Sequence, residues 1–213
     1  MNRLRIRFKR GEEIKYISHL DIIRLWHRIF RRAGIALAYS EGFNPHPRLA
    51  LASPLALGVT SEAELMDIYL EHPMSAQSFT IATATCLPPG LEIIQVAAVS
   101  PLLPSMQSQL RHAEYSVRVK LPAGFDLRAA VKAMLQKTSL PWQHQRDTGV
   151  KSYDLRPLIT ELRLAEESDN EAVLEMKLRC DSTGSGRPEQ VAKALGLESP
   201  LAVHRTRLFL QSY

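Results

Sequence analysis

The alternation of apolar and basic residues at the start of this chain, together with the helical pattern that follows, most limits the fold. Residues 4–10, LRIRFKR, have a period of two, which predicts a strand with one buried and one cationic face. After a turn at GEE, apolar residues at helical spacing predict a helix from Ser18 to Ala33, with Ser18 as its N-cap. Asp21 falls where an acidic side chain can reach the free N–H groups of the first turn. Gly34 is well placed to end the helix in the left-handed conformation.

The predicted helix separates an apolar side from a basic side. The apolar side contains Ile22, Ile23, Trp26, Ile29, Phe30 and Ala33, and the basic side contains Arg24, Arg28, Arg31 and Arg32. Residues 1–48 hold 11 Lys and Arg against 4 Asp and Glu, a balance of +7. The other 165 residues hold 16 against 18, a balance of −2, and the two balances give the net charge of +5. The basic segment favours a polyanionic partner, and the alternative is a solvated surface that keeps the protein in solution.

The order of predicted elements indicates an α+β protein built from two tandem ferredoxin-like (βαββαβ) domains. In the first half, strands at 48–53, 64–71 and 91–99 and a helix at 75–86 follow the first strand and helix. A segment rich in Pro, Ser and Gln, residues 100–108, predicts a linker between a domain of residues 1–99 and one of residues 109–213. The second half repeats the order, with strands at 114–121, 143–147, 158–165, 172–180 and 204–210 and helices at 126–138 and 187–195. It has one strand more than the first half.

The cysteines and histidines give no sign of a disulfide, a metal or a cofactor. Cys86 and Cys180 are far apart and have no CxxC partner, which argues against a disulfide framework or a zinc site. Histidines lie at positions 19, 27 and 46, but without HxxxH or HExxH spacing. The charged N-terminus and the short apolar runs predict a cytoplasmic protein that neither carries a signal peptide nor spans a membrane.

The most distinctive segment is the loop from Tyr39 to Arg48, whose centre is SEGFNPHP. Two prolines restrict it, and its turn-forming residues predict that it is exposed. Phe43 can stack on a base, Asn44 can hydrogen-bond and Arg48 can bind phosphate, so the loop suits RNA recognition. His46 is a weak candidate for a general acid or base in RNA cleavage. The alternative is that Asn and Pro only build a rigid turn, with His46 packed on a nearby ring.

Other candidate residues lie in the second half. Lys151, Tyr153 and Arg156 precede an apolar strand, where they could extend a cationic groove or serve as edge-strand charges. The stretch DSTGSGRPEQ opens a helix, so Arg187 and backbone N–H groups could hold a phosphate, although a flexible loop explains the same residues. No GxSxG, Walker A or GxGxxG motif occurs in the chain, and the sequence favours a protein without catalytic activity of its own.

Several motifs together resemble one bacterial family. KYISHLD, RRAGI, YSEGFNPHPR, SPLALGVTSEAE, YDLRPLI and GRPEQV are similar to the radical-SAM-linked domain of unknown function, found alone or fused to cobalamin-binding-type radical SAM proteins. The motif positions that match are Ser18, His19, Asp21, Ser40, Gly42, Phe43, Asn44, Pro45, His46, Pro47, Arg48 and Glu62. The resemblance implies a radical SAM partner and a role in RNA modification or processing. Because the chain has no CxxxCxxC motif, the radical chemistry would belong to that partner in trans.

These observations lead to three functional hypotheses. The first is a non-catalytic module that binds RNA or presents it to the radical SAM protein. The second is a metal-independent RNA endonuclease that uses His46, and the third is a protein–protein adaptor without nucleic-acid contact. A further alternative is that the motif residues mostly build the domain. The residues expected to contact RNA or a partner are His19, Arg24, Arg28, Arg31, Arg32, Tyr39, Phe43, Asn44, His46, Arg48, Lys151, Arg156 and Arg187.

Overall fold

The computed structural model describes residues 2–146 and 149–211 and has a mixed α+β fold, as the sequence predicts. The chain forms two compact units. One comprises residues 2–110 with 210–211, and the other comprises residues 111–209. Within the described ranges, no helix is long and apolar enough to cross a lipid bilayer.

The first unit packs its two longer helices against one face of an antiparallel sheet. Its elements are β1 (Asn2–Arg10), α1 (His19–Arg32), β2 (Leu49–Leu51), β3 (Thr60–Leu70), α2 (Ala76–Thr83), β4 (Leu91–Val99) and the short α3 (Met106–Gln109). The strands lie in the order β4-β1-β3-β2, and each neighbouring pair is antiparallel. A 3-10 turn at Glu12–Ile14 connects β1 to α1.

β1 buries its apolar side chains on one face of the sheet, as the alternation in its sequence predicts. Leu4, Ile6 and Phe8 are fully buried, whereas Arg5 is partly exposed and Arg7 is exposed on the other face of the sheet. The buried side chains belong to the core that also holds the apolar side of α1. Four aromatic rings of this core pack in a row. The ring centres are 5.1 Å apart for Phe8 and Trp26, 5.4 Å for Trp26 and Phe30, and 5.8 Å for Phe30 and Phe79.

A buried ion pair lies on the face of this sheet opposite α1. The Arg3 side chain is 1% exposed and donates to Asp67 from Nη2 at 2.5 Å, and Arg5 also donates to Asp67 at 2.9 Å. Arg3 donates further to the carbonyl oxygens of Leu103 at 2.6 Å and Pro104 at 3.1 Å. The segment predicted as a linker is therefore fixed to β1 by hydrogen bonds.

The second unit also combines helices with an antiparallel sheet. Its elements are β5 (Leu110–Lys120), α4 (Leu127–Gln136), β6 (Pro141–Arg146), β7 (Gly149–Asp154), β8 (Ile159–Glu167), β9 (Glu171–Asp181), β10 (Gly184–Ser185), α5 (Pro188–Ala194) and β11 (Ala202–Leu210). In the main sheet of this unit the order is β8-β9-β5-β11, and β10 also pairs with β9. β6 and β7 form a separate antiparallel pair.

Most predicted elements are present, with shifted ends. The strand predicted at 64–71 begins at Thr60, the strand predicted at 48–53 shortens to Leu49–Leu51, and the helix predicted at 75–86 ends at Thr83. In the second unit, the strand predicted at 143–147 is present as β6, but the prediction of only one strand more than in the first half was wrong, because β7 and β10 were not predicted. The structure has β6 and β7 there as a hairpin, and Asp147 of the predicted strand lies outside the described residues. The pairing of β10 with β9 was also not predicted.

Candidate functional site

The start of α1 is fixed by the residues that the sequence predicts. Ser18 is the N-cap, and its hydroxyl oxygen accepts a hydrogen bond from the Asp21 N–H at 3.2 Å. The Asp21 carboxylate accepts from the Ser18 hydroxyl at 2.7 Å and from Arg24 at 2.9 Å. These hydrogen bonds, first from Ser18 and then from Arg24, lower the pKa of Asp21 below its ordinary value. Asp21 therefore belongs to the cap, and the positive charge of Arg24 is partly compensated.

The remaining arginines of α1 are exposed and available. The guanidinium groups of Arg28, Arg31 and Arg32 form no hydrogen bond or ion pair with any other residue that the structure describes. Arg28 and Arg31 are three positions apart, so they are neighbours on the surface of the helix. Arg31 and Arg32 also lie in the last turn, where positive charge stabilises the helix dipole. That stabilisation requires no ligand, and it leaves the cationic groups free to bind one.

The loop from Tyr39 to Arg48 is held by a small ladder of hydrogen bonds. The Ser40 N–H donates to the His46 carbonyl at 2.8 Å, and the His46 N–H donates to the Ser40 hydroxyl oxygen at 2.9 Å. Tyr39 forms a bridge to Pro47. Gly42 has a φ of 117°, a conformation that other residues rarely adopt. The loop is therefore an ordered turn that presents Phe43 and Asn44 to solvent, as the sequence predicts.

The cationic side of α1 and the base of this loop line the same cleft. The cleft has a volume of about 370 Å³. Its apolar lining is formed by Phe30, Ile35, Ala36, Leu37 and Pro47, and its polar lining by His27, Arg28, Arg31, Tyr39 and Glu71. Arg28, Arg31, Tyr39 and Glu71 are exposed, whereas Phe30, Ile35 and Leu37 are buried. The cleft thus combines an apolar floor, an aromatic ring and a charged rim.

His27 occupies the helix side of this cleft and is only partly exposed. Its Nε2 atom is buried and has no hydrogen-bond partner among the described residues. Burial lowers the pKa of His27, so the neutral imidazole is favoured. A buried polar atom without a partner costs free energy, and a ligand in the cleft could satisfy it.

Arg48 does not join the cleft that Pro47 lines. Tyr69 alternates along β3 with the core residues Ile68 and Leu70, so its ring lies on the face of the sheet opposite α1. The Arg48 guanidinium stacks over this ring, 3.8 Å from its centre. The predicted group of cationic residues is therefore divided, with Arg28 and Arg31 on the helix side and Arg48 on the other face.

The two histidines of the predicted site, His19 and His46, do not line this cleft. His46 is exposed, and its hydrogen bonds with Ser40 involve only its backbone. His19 begins α1 and is half-buried. No group of three or more His, Cys, Asp or Glu side chains suited to a metal occurs within the described part of the chain.

In the second unit, Arg156 and Tyr153 form hydrogen bonds within the unit. Arg156 donates to the carbonyl oxygens of Lys137, Ile159 and Leu135 at 3.0, 2.9 and 3.1 Å, so its guanidinium ties the end of α4 to the start of β8. Tyr153 donates from its hydroxyl to Gln190 at 2.6 Å. The side chain of Lys151 lies outside the described parts of the structure.

In the glycine-containing loop before α5, backbone N–H groups donate to the side chain of Asp181 at the start of the loop. Asp181 accepts hydrogen bonds from the N–H groups of Thr183 and Gly184 and from the Thr183 hydroxyl, at 2.8, 3.1 and 2.7 Å. Burial alone would raise the pKa of Asp181, but the hydrogen bonds from Arg179 and Thr183 outweigh it and hold the pKa far below its ordinary value. Asp181 therefore already accepts hydrogen bonds from two of the N–H groups that the sequence analysis considered for a phosphate, and Arg187 stays a predicted contact.

Arg187 remains exposed at the N-cap position of α5. It lines a groove of about 940 Å³ in the second unit together with Trp142, Gln143, Glu189, Gln190, Lys193, Leu197, Glu198 and Ser199. Trp142 lies in β6, one residue before the strand predicted at 143–147, and its place beside Arg187 was not predicted. In the first unit, the missed lining residues are His27, Glu71 and the apolar floor. The alternation of Ile35 and Leu37 after Gly34 is the signal that could have indicated that floor.

Chains from three solved complexes match this chain, each at low sequence identity. One match is a chain in the crystal structure of a Cbf5–Nop10–Gar1 complex, with a TM-score of 0.53 and 11% sequence identity. The match covers 96% of this chain and 48% of that chain. A chain of an H/ACA RNP bound to a substrate RNA containing 2'-deoxyuridine gives a TM-score of 0.49, at 12% identity over 96% of this chain and 47% of that chain. A chain of the archaeal box H/ACA sRNP Nop10–Cbf5 complex gives 0.47, at 11% identity over 95% and 46%. This chain therefore spans about half the length of the chains it matches, and the likeness establishes the fold alone.

The sequence itself defines the family more closely. Residues 3–188 match the model of the family described as "uncharacterized protein conserved in bacteria (DUF2344)". This chain belongs to that family. No curated protein sequence is significantly similar to it.

Proposed function

We propose that this protein is a non-catalytic RNA-binding module that uses the exposed side of α1 and the loop that follows it. The observation that carries the proposal is the shared cleft, which brings Arg28 and Arg31 of the helix beside Tyr39 of the loop. Guanidinium groups attract phosphates and an exposed ring can stack on a base, and unpaired RNA is recognised by this combination. The balance of +7 over residues 1–48 adds long-range attraction for a polyanion.

The test is the affinity for a labelled single-stranded RNA, measured by fluorescence anisotropy at several salt concentrations. The affinity should fall as salt rises, because binding releases counterions from the phosphates. In the Arg28→Ala/Arg31→Ala variant, the slope of log affinity against log salt should become shallower by about 1.4, since each phosphate contact on a single strand contributes about 0.7. The variant Arg28→Glu/Arg31→Glu should bind more weakly still.

A matched control separates a local effect from a change in net charge. Arg128 and Lys132 are exposed on α4, so Arg128→Glu/Lys132→Glu changes the net charge of the protein by the same amount at a different surface. This control should keep most of the affinity of the wild-type protein. Equal losses in both double variants would contradict a site at α1, and salt-independent or absent binding would contradict the RNA-binding function.

The same incubations separate the two alternative functions. If His46 made the protein an endonuclease, the RNA would be cleaved without added metal, and His46→Ala would stop cleavage while binding survived. Intact RNA after prolonged incubation supports the binding module. If the protein were an adaptor without nucleic-acid contact, it would bind no RNA at any salt concentration.

The partner proposed from the family resemblance is a radical SAM protein that acts in trans. The support for it is the set of motifs SHLD and GFNPHPR, and the description of the matching family does not mention such an enzyme. Co-purification of the two proteins from a nuclease-treated lysate tests the pairing. Loss of the partner after nuclease treatment would indicate an association through RNA, and loss without nuclease would contradict the pairing.

We also propose the finer description of the fold, two tandem ferredoxin-like domains at residues 1–99 and 109–213. The strand order β4-β1-β3-β2 supports it for the first unit, and β11-β5-β9-β8 supports it for the second. The β6–β7 hairpin and β10 are additions to that pattern. Expression of each half alone, with the first half extended through Leu110 to keep the acceptors of Arg3, tests by cooperative unfolding whether each is a domain in its own right.

A further inference from the structure

We propose that the cleft beside α1 receives the base of one unpaired RNA nucleotide. This inference rests on the proposed RNA-binding function and adds to it a specific pocket with a specific occupant. Small-molecule pockets measure about 300–1,000 Å³, and the cleft, at about 370 Å³, is near the lower limit. It therefore suits a single nucleotide better than a longer segment.

The interior of the cleft provides the surface that a base requires. Buried Phe30, Ile35 and Leu37 form an apolar floor, and Tyr39, 59% exposed, stands at its edge. A base is a flat apolar ring with polar edges, so it loses little by leaving water for such a floor and gains stacking on the tyrosine. A simple phosphate or a small carboxylate would make no use of these apolar side chains.

The polar residues give the cleft two chemically different sides. Arg28 and Arg31 lie on α1, whereas Glu71 lies at the end of β3 and donates its N–H to the Ala36 carbonyl at 3.1 Å. The arginines attract the phosphate of a nucleotide and the carboxylate repels it. The carboxylate can accept a hydrogen bond from an N–H group on the edge of a base. A nucleotide therefore binds with its phosphate towards α1 and its base towards Glu71.

His27 adds a polar side chain to the lining of the cleft. Its buried Nε2 atom has no partner among the described residues. The lowered pKa favours a neutral imidazole, which can donate or accept one hydrogen bond at this atom. The edge of a base offers groups of both kinds, so a bound base can satisfy an atom that the protein leaves unsatisfied.

A variant that fills the cleft but keeps every charge gives the sharpest test. Ala36 is exposed and lines the cleft, so Ala36→Trp should block the base while leaving Arg28 and Arg31 unchanged. Ala84→Trp, at an exposed position after α2, is the matched control. The probe is a short labelled single-stranded RNA, together with a set of the same RNA in which each nucleotide in turn is abasic.

We expect the wild-type protein to lose about 5- to 150-fold in affinity when one particular position is abasic, which is the range for loss of one stacked base. Ala36→Trp should lose a similar factor with intact RNA, should lose little more with that abasic RNA, and should keep the salt dependence of the wild-type protein. Tyr39→Ala should show the same pattern with a smaller loss. Thermal unfolding of each variant checks that the fold is intact.

The possible results distinguish the inference from the function on which it rests. If Ala36→Trp and Tyr39→Ala both bind intact RNA as tightly as the wild-type protein does, RNA binds at α1 without a base in the cleft, and the inference is overturned. If abasic substitution has the same effect in wild type and Ala36→Trp, the base lies elsewhere, which also overturns it. If the wild-type protein binds no RNA, the proposed function itself fails.

Discussion

The guanidinium of Arg48 lies 3.8 Å from the centre of the Tyr69 ring, on the face of the sheet opposite α1. Arg3 approaches the same ring at 5.4 Å. The last residue of the GFNPHPR motif is therefore held against the sheet, while Tyr39 and Pro47 of the same loop line the cleft on the helix side. At the edge of the sheet, the motif therefore contributes Pro47 to one face of the first unit and Arg48 to the other.

We expect Tyr69→Leu to lower the free energy of unfolding by about 1–2 kcal/mol, because it removes the ring from two guanidinium groups in a partly buried setting. Chemical denaturation measures the change. Tyr16→Leu is the control, since Tyr16 is 74% exposed, and it should change stability by less than about 0.5 kcal/mol. Equal effects of both substitutions would contradict a special role for the Tyr69 ring.

We expect removal of the N-cap of α1 to destabilise the protein through the helix end alone. Ser18→Ala leaves the Asp21 N–H without its acceptor and should lower the free energy of unfolding by about 0.5–2 kcal/mol. Ser18→Thr keeps a hydroxyl oxygen at the cap and should recover most of the loss. The idea would fail if the two variants were equally stable in urea denaturation.

We expect Asp67→Ala to be among the most destabilising single changes in the first unit. Arg3 is 1% exposed, so loss of Asp67 leaves a buried guanidinium without its counter-charge, at a cost of about 3–5 kcal/mol. Glu92→Ala breaks the exposed pair with Lys9 and should cost no more than about 1 kcal/mol. Denaturant titrations of both variants give the comparison, and similar values would contradict the buried pair.

We expect the stability of the protein to fall in mild acid because of His27. Burial lowers the pKa of His27 below 6.5, so the unfolded state binds more protons between the two pKa values. The contribution of His27 to the free energy of unfolding is therefore complete above pH 6.5 and decreases as the pH falls towards the folded pKa. The test compares wild type with His27→Phe from about pH 8 to pH 5, where the variant should show a flatter pH dependence. Parallel curves would rule out His27 as the cause.

The parts of the fold that sequence predicts well are those whose apolar spacing is regular. β1 and α1 follow directly from the alternation in LRIRFKR and the helical spacing around Trp26, and Ser18 is the predicted cap. β6 was predicted at 143–147, but its partner β7 was missed because its residues, GVKSYD, have no clean apolar alternation. The second unit therefore contains a strand that no local pattern indicates.

The candidate site could be predicted only in part, because it depends on contacts distant in sequence. Arg28, Arg31 and Tyr39 were predicted from charge and loop composition, and they line one cleft. Glu71 enters the cleft only because its N–H pairs with the Ala36 carbonyl, which no short motif reveals. Arg156 was predicted as a surface cation, but its guanidinium binds three carbonyl oxygens, and such a role appears only when the chain is folded.

The hydrogen bonds from Arg3 to Leu103 and Pro104 have a practical consequence for anyone who cuts the gene into pieces. A fragment that stops at Val99 deletes both acceptors and leaves a buried guanidinium short of partners, whereas one that continues through Leu110 retains them together with the buried Met106. The longer fragment should accumulate in the soluble fraction of an expression culture, and the shorter one should be degraded or form inclusion bodies. Because Arg3 needs both acceptors, a stable N-terminal fragment must include Leu103 and Pro104.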